Sequence, residues 1–251
     1  MKLADRRILI TGASSGIGLT TARLFESEGA RLALVALDDG RLKPAMAQLA
    51  DPDRHIAIGA DVTDQAKVCE MVAKATDALG GIDGLVNSAG ADLVCPFEDT
   101  TLDQWQSIIG ANMTSAFLVC QAVLGALRAA GGGTIVNLGS GAALLPVRGR
   151  AAYCAAKAGL VMFSKTLALE LATENIRVNA LCPGAIDTPM LRESAGGELG
   201  DPVPKEVISR FALGRIGTTR EIANAALFLS SHDSSFITGI ALAADGGRTF
   251  H

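Results

Sequence analysis

Short apolar and β-branched runs recur along this 251-residue chain, and longer stretches with apolar residues every three or four positions lie between them. The runs are RILIT (7–11), RLALVA (31–36), HIAIG (55–59), GLVN (84–87), GTIVNLG (133–139), IRVNALC (176–182) and IALAA (240–244). They predict strands, and the stretches near 17–28, 40–50, 64–79, 101–130, 152–173 and 219–230 predict helices. Such alternation implies an α/β fold, because right-handed crossovers put helices on both faces of a parallel sheet. No Pro/Ser-rich linker or change of composition divides the chain, so a single domain spanning 1–251 is expected. One segment breaks the rhythm: 187–212, DTPMLRESAGGELGDPVPKEVISRFA, is polar and rich in Gly and Pro. A long irregular insertion of this kind predicts a substrate-binding lid.

Composition narrows the field. Hydrophobic residues make up 49% of the chain and aromatics only 4%, with abundant Ala and Gly, which suits helices packed closely on a sheet. A formal charge of −4 provides no basic stripe, which argues against a nucleic-acid partner. No uninterrupted apolar run has the length of a membrane span; Gln121 and Arg128 break AFLVCQAVLGALRAA. Five scattered cysteines (69, 95, 120, 154, 182) lack C-x-x-C spacing and point to free thiols in a reducing cytoplasm. His55, His232 and His251 lie far apart, so no metal site is expected.

The first strand runs straight into TGASSGIG (11–18), with Gly12, Gly16 and Gly18 at a strand-to-helix turn. Glycines there let the backbone approach a ligand, and the helix N-terminus offers free N–H groups to a pyrophosphate. The spacing G-x-x-x-G-x-G is one residue longer than the usual dinucleotide fingerprint. Further along, YCAAK sets Tyr153 and Lys157 four residues apart on one helical face. A phenol titrates near pH ~10, and a cation within about 4–6 Å can lower that value by one to three units. The pair therefore predicts an activated proton donor and acceptor. A surface pair near a helix start is the alternative.

Together TGASSGIG, Asp61-Val62, NSAG (87–90), Asn112, Ser140, YCAAK, IRVNALCPGAIDTPM and the closing DGG resemble the classical short-chain dehydrogenases/reductases. The resemblance runs from the first strand to the C-terminus. It implies a Rossmann-like doubly wound sheet of seven strands, order 3-2-1-4-5-6-7, and hydride transfer between a nicotinamide cofactor and an alcohol or ketone. Tyr153 would be the general acid/base, Lys157 its activator and ribose ligand, Ser140 the orienter of the substrate oxygen, and Asn112 the holder of a relay water. Ser14, Ser15 and Ile17 would join the three glycines at the phosphates. Asp61 and Val62 would flank the adenine; Asn87, Ala89 and Gly90 would line the ribose and nicotinamide side. Pro183, Gly184, Ile186 and Thr188 would meet the carboxamide.

NAD and NADP are told apart at the end of the second strand, where an acid binds the ribose 2′-OH and an arginine a 2′-phosphate. Ala36 and Leu37 stand at those positions, so neither signature is present. Asp38 and Asp39 follow; one could reach the ribose and both would repel a phosphate, which favours NAD without excluding NADP. A solvated turn is their other reading. Asp92, Leu93, Val94, Ala142, Leu144, Met190 and Leu191 are candidate walls for a substrate pocket; Arg148 and Arg150 could steer an anion, but exposed loop arginines usually need no such role, and that plainer reading is preferred. Small residues such as Ala155 and Gly159 suggest that a second helix approaches 152–173. With helix 101–130 it would build a homodimer or homotetramer. A cofactor-binding regulator of the same fold without turnover is the alternative function.

Overall fold

The computed structural model describes residues 1–195 and 204–249. Seven parallel strands form one sheet: β1 (Arg7–Thr11), β2 (Arg31–Ala36), β3 (Ile56–Gly59), β4 (Gly84–Asn87), β5 (Gly133–Leu138), β6 (Ile176–Pro183) and β7 (Ala241–Ala244). Their order is β3-β2-β1-β4-β5-β6-β7, as the resemblance implied. Helices α1 (Gly16–Ser27), α2 (Asp39–Met46), α3 (Gln65–Leu79), α4 (Leu102–Ile109), α5 (Ser115–Ala129), α6 (Ala151–Leu171), α7 (Pro189–Ala195), α8 (Lys205–Ile208) and α9 (Thr219–Ser230) lie between them. Residues 196–203 of the expected lid lie outside the described residues; α7 and α8 form its two ends.

Both faces of the sheet are apolar. Leu24 and Phe25 of α1 pack with Ala223 and Leu227 of α9 against Ile8, Ile10 and Leu34. On the opposite face Met71 of α3, Val123 of α5 and Leu171 of α6 cover Leu9, Leu85 and Ile135. Each such fully buried side chain contributes about 1.5–3 kcal/mol relative to exposure. Polar groups cross this interior as a satisfied ladder. Register sets Thr11 beside Asn87 and Asn87 beside Asn137. Asn87 Nδ2 donates to Asn137 Oδ1 at 2.9 Å, and Asn137 Nδ2 donates to Ser164 Oγ on α6 at 2.8 Å. The ladder ties the ends of the central strands to α6.

The stretch expected as one helix over 101–130 contains a π turn, Gly110–Thr114, between α4 and α5. Asn112 causes it in part: its amide Nδ2 donates to the Ile108 carbonyl at 2.9 Å and to the Ala91 carbonyl at 2.8 Å, competing with the backbone for the helical acceptor. By length and composition Leu102–Ala129 could cross a membrane, yet Leu118, Val119, Val123 and Leu127 are buried within the fold. On α6, Gly159 meets Met113 of the same chain. A Cβ there would stand 2.7 Å from Met113 Sδ, so the glycine admits the π turn against α6.

Candidate active site

Strand order reverses between β1 and β4, and the loops leaving the C-terminal ends of the strands open a crevice there. The crevice is a cavity of about 790 Å³. At one end lies the turn between β1 and α1. Gly12 has φ 66° and Gly16 φ 53°, and a Cβ on Gly18 would stand 2.2 Å from the Gly12 carbonyl oxygen. Ser15, the residue before α1, makes no side-chain cap, so the amides of the first turn are available to a ligand. Residues 12 and 14–18 all line the cavity, as do Ala89 and Gly90 after β4 and Pro183, Gly184, Ile186 and Thr188 after β6. An uncapped, positively polarised helix start at a glycine turn fits a pyrophosphate.

Asp61 and Val62 line the same end. The Asp61 carboxylate accepts from the Thr63 hydroxyl at 2.7 Å and the Thr63 amide at 2.9 Å, which hold its pKa below the ordinary value. The cap of α3 is Asp64, not Asp61. Asn87 departs from expectation: it is buried, engaged with Asn137, and absent from the cavity wall. Its neighbour on β5 offers an acceptor at the matching register, so the side chain turns inward.

The acids after β2 depart as well. Leu37 lines the cavity, but neither Asp38 nor Asp39 does. Asp38 caps α2 through the Arg41 amide at 3.0 Å and pairs with Arg41 Nε at 3.3 Å. Asp39 Oδ1 accepts from the Gly59 amide at 2.8 Å, tying α2 to β3. Arg41, which sequence reasoning passed over, lines the cavity instead. A basic residue one turn into the helix after β2 was the available signal.

Asn112, Ser140, Tyr153 and Lys157 come together at the other end. Ser140 follows β5 and Tyr153 opens α6. Lys157, one turn later, is buried, and its Nζ stands 5.7 Å from the centre of the Tyr153 ring. That ammonium donates to the Leu138 carbonyl at 2.8 Å, fastening α6 to the end of β5 two residues before Ser140. Burial pushes its pKa down to about 8. The phenol was expected to be lowered by Lys157; here burial pushes it above its ordinary value, and the Asp92 carboxylate adds to the rise. The Ser140 hydroxyl and Arg150 act in the opposite sense. Among the described residues no hydrogen-bond donor meets the buried Asn112 Oδ1.

Asp92 and Arg150 form an ion pair at 2.9 Å beside Tyr153. Arg150 Nη2 also donates to Ser194 Oγ of α7 at 3.1 Å. Of the other expected pocket walls, Val94, Ala142, Met190 and Leu191 line the cavity, whereas Leu93 and Leu144 do not. Arg148, Arg210 and Arg248 complete it.

A family model described as enoyl-(acyl carrier protein) reductase matches residues 12–249. The chain is a short-chain dehydrogenase/reductase. A 2-(S)-hydroxypropyl-CoM dehydrogenase of Xanthobacter autotrophicus is 36% identical to this dehydrogenase/reductase over 99% of its length and 98% of the relative's. An NAD-dependent glycerol dehydrogenase of Listeria innocua is 36% identical, covering 98% and 95%. A short-chain type dehydrogenase/reductase from Mycobacterium marinum, solved by crystallography, superposes with a TM-score of 0.92 at 34% identity, covering 100% and 98%. As a member of this family, the short-chain dehydrogenase/reductase is an oxidoreductase that uses a nicotinamide cofactor and acts on CH–OH and carbonyl groups.

Proposed function

We propose that the protein oxidises a small alcohol, or reduces the matching ketone, with Tyr153 as the general acid/base. The observation that carries this reading is the convergence of Ser140, the Tyr153 phenol, a buried ammonium and a glycine-rich helix start on one cavity. A nicotinamide cofactor held by the glycine turn and the residues after β4 and β6 would supply the hydride chemistry. Tyr153 takes the hydroxyl proton in oxidation and returns it in reduction, Ser140 holds the substrate oxygen against it, and Lys157 supplies positive charge beneath the ring. The buried Asn112 Oδ1 and Lys157 Nζ both lie close to Gly90, an arrangement that suits a water carrying the proton onward.

NAD is the proposed cofactor, with weak discrimination against NADP. No acid stands at Ala36 to bind the 2′-hydroxyl, and the Asp38–Arg41 pair leaves the ribose end close to neutral. The alcohol class finds support in the hydroxyl-bearing substrates named for the relatives. Exposed Phe117, Met162 and Leu169 on α5 and α6, with Phe117 packed edge-on against Phe163, support a homodimer or homotetramer through those helices. The five free cysteines suit a reducing cytoplasm. The chain is read as a single domain throughout.

Tyr153→Phe is the test. Turnover should fall by about 10²–10⁴, the usual contribution of a positioned acid/base, while NADH still binds. Unchanged turnover would reject the assignment, and a cofactor-binding regulator would be indifferent to the change.

A further inference from the structure

The cavity is rich in arginine. Arg148, Arg150, Arg210 and Arg248 line it, and Asp92, the carboxylate that acts on Tyr153 among the described residues, is already paired with Arg150. Among the described residues no side-chain partner holds Arg148, Arg210 or Arg248. They come from three segments that fold over the site. Arg148 precedes α6. Arg210 follows α8 and adjoins Phe211, whose ring lies 3.8 Å from where a Cβ on Gly246 would stand. Arg248 is half-buried and adjoins Thr249, whose methyl lies 3.7 Å from the corresponding point on Gly141, next to Ser140. Asp245, the acid nearest in sequence to Arg248, accepts from the Gly247 amide and does not line the cavity.

We propose that the substrate carries an anionic head, a carboxylate or sulfonate, which Arg248 and Arg210 hold while its hydroxyl-bearing carbon lies against Ser140 and Tyr153. Arg248 is half-buried, Arg148 and Arg210 are exposed, and all three lack a carboxylate partner among the described residues; an anion with planar or tripodal oxygens supplies that partner and matches the guanidinium fork. The inference rests on the reading of this cavity as the site of hydride transfer.

Two measurements test it separately from that reading. The first compares kcat/KM for hydroxycarboxylates and hydroxysulfonates of increasing chain length with their uncharged amides. The best acid should exceed its amide by about a hundredfold, the worth of two charge-assisted bonds. Arg248→Ala and Arg210→Ala should each cut that ratio about tenfold or more, whereas Arg220→Ala, on α9, should leave it unchanged. The second needs no turnover: alkyl carboxylates and sulfonates should raise the Tm of the NADH complex more than isosteric amides do, and less so in the arginine variants. Failure of any alcohol to react would count against the dehydrogenase reading. Equal stabilisation by anion and amide, or equal kcat/KM, would overturn the anionic head.

Discussion

A Cβ placed on Gly90 would stand 2.6 Å from Asn112 Oδ1 and 3.7 Å from Lys157 Nζ, so the absence of a side chain at 90 preserves the space between amide and ammonium. The Gly90→Ala variant must displace Asn112, whose amide nitrogen is tied to Ala91 and Ile108. Its turnover should fall about 10- to 100-fold, as expected for a misplacement near 1 Å. Its far-UV circular dichroism should be unchanged, because the π turn lies at the edge of the core. Wild-type kinetics in Gly90→Ala would show that this space has no catalytic use.

Lys157 ties stability to pH. Its folded-state pKa, about 8, lies below the ordinary lysine value, so the unfolded chain binds more protons in the interval between them. The contribution of Lys157 to stability should therefore rise with pH from about 8 to about 10, the reverse of what a salt-bridged lysine would give. Lys157→Met removes the titrating group. Urea midpoints for this variant should lose the lysine's rise and decline above about pH 9, because burial raises the Cys120 and Cys182 thiols and the unfolded chain ionises them first; an equal rise in both proteins would assign the effect elsewhere.

Much of this architecture was readable from residue patterns, and the exceptions share a cause. β1, β2 and β4 begin and end where the apolar runs do, because strands buried on both faces tolerate few polar residues. The π turn escaped notice because apolar spacing does not report one extra residue inside a helix; the decisive event is a side chain, Asn112, taking the Ile108 carbonyl. Asn87, Asp38 and Asp39 stand at positions where ligand contacts are expected, yet each has a local partner: Asn137, Arg41 and the Gly59 amide. Sequence order does not show whether a polar side chain will spend its hydrogen bonds inside the fold. Arg210 and Arg248 are far apart in sequence and reach one cavity only after folding.

The Asp38–Arg41 pair makes cofactor choice adjustable. Asp38→Asn keeps an oxygen for the α2 cap but removes the charge opposing a 2′-phosphate and frees Arg41 to meet it. The ratio of NADP to NAD affinity should rise about five- to tenfold, the size of an exposed charge interaction. Arg41→Ala should move the ratio in the opposite direction. Fluorescence titration with NADH and NADPH measures both. An unaltered ratio in the two variants would place the selecting group elsewhere.

Asp92 should set the alkaline side of the activity profile. Its carboxylate raises the Tyr153 pKa on top of the rise caused by burial, while Arg150 lowers it. Asp92→Asn removes the raising charge and leaves Arg150 unneutralised, so both effects push the phenol the same way, toward easier ionisation. For alcohol oxidation, which needs the deprotonated form, the rising limb of kcat/KM against pH should move to lower pH. Ketone reduction needs the protonated form, so its falling limb should move the same way. Arg150→Met makes the opposite change, leaving Asp92 without its counter-charge, and both limbs should move to higher pH. Limbs that stay fixed in both variants would mean that the group observed is not Tyr153.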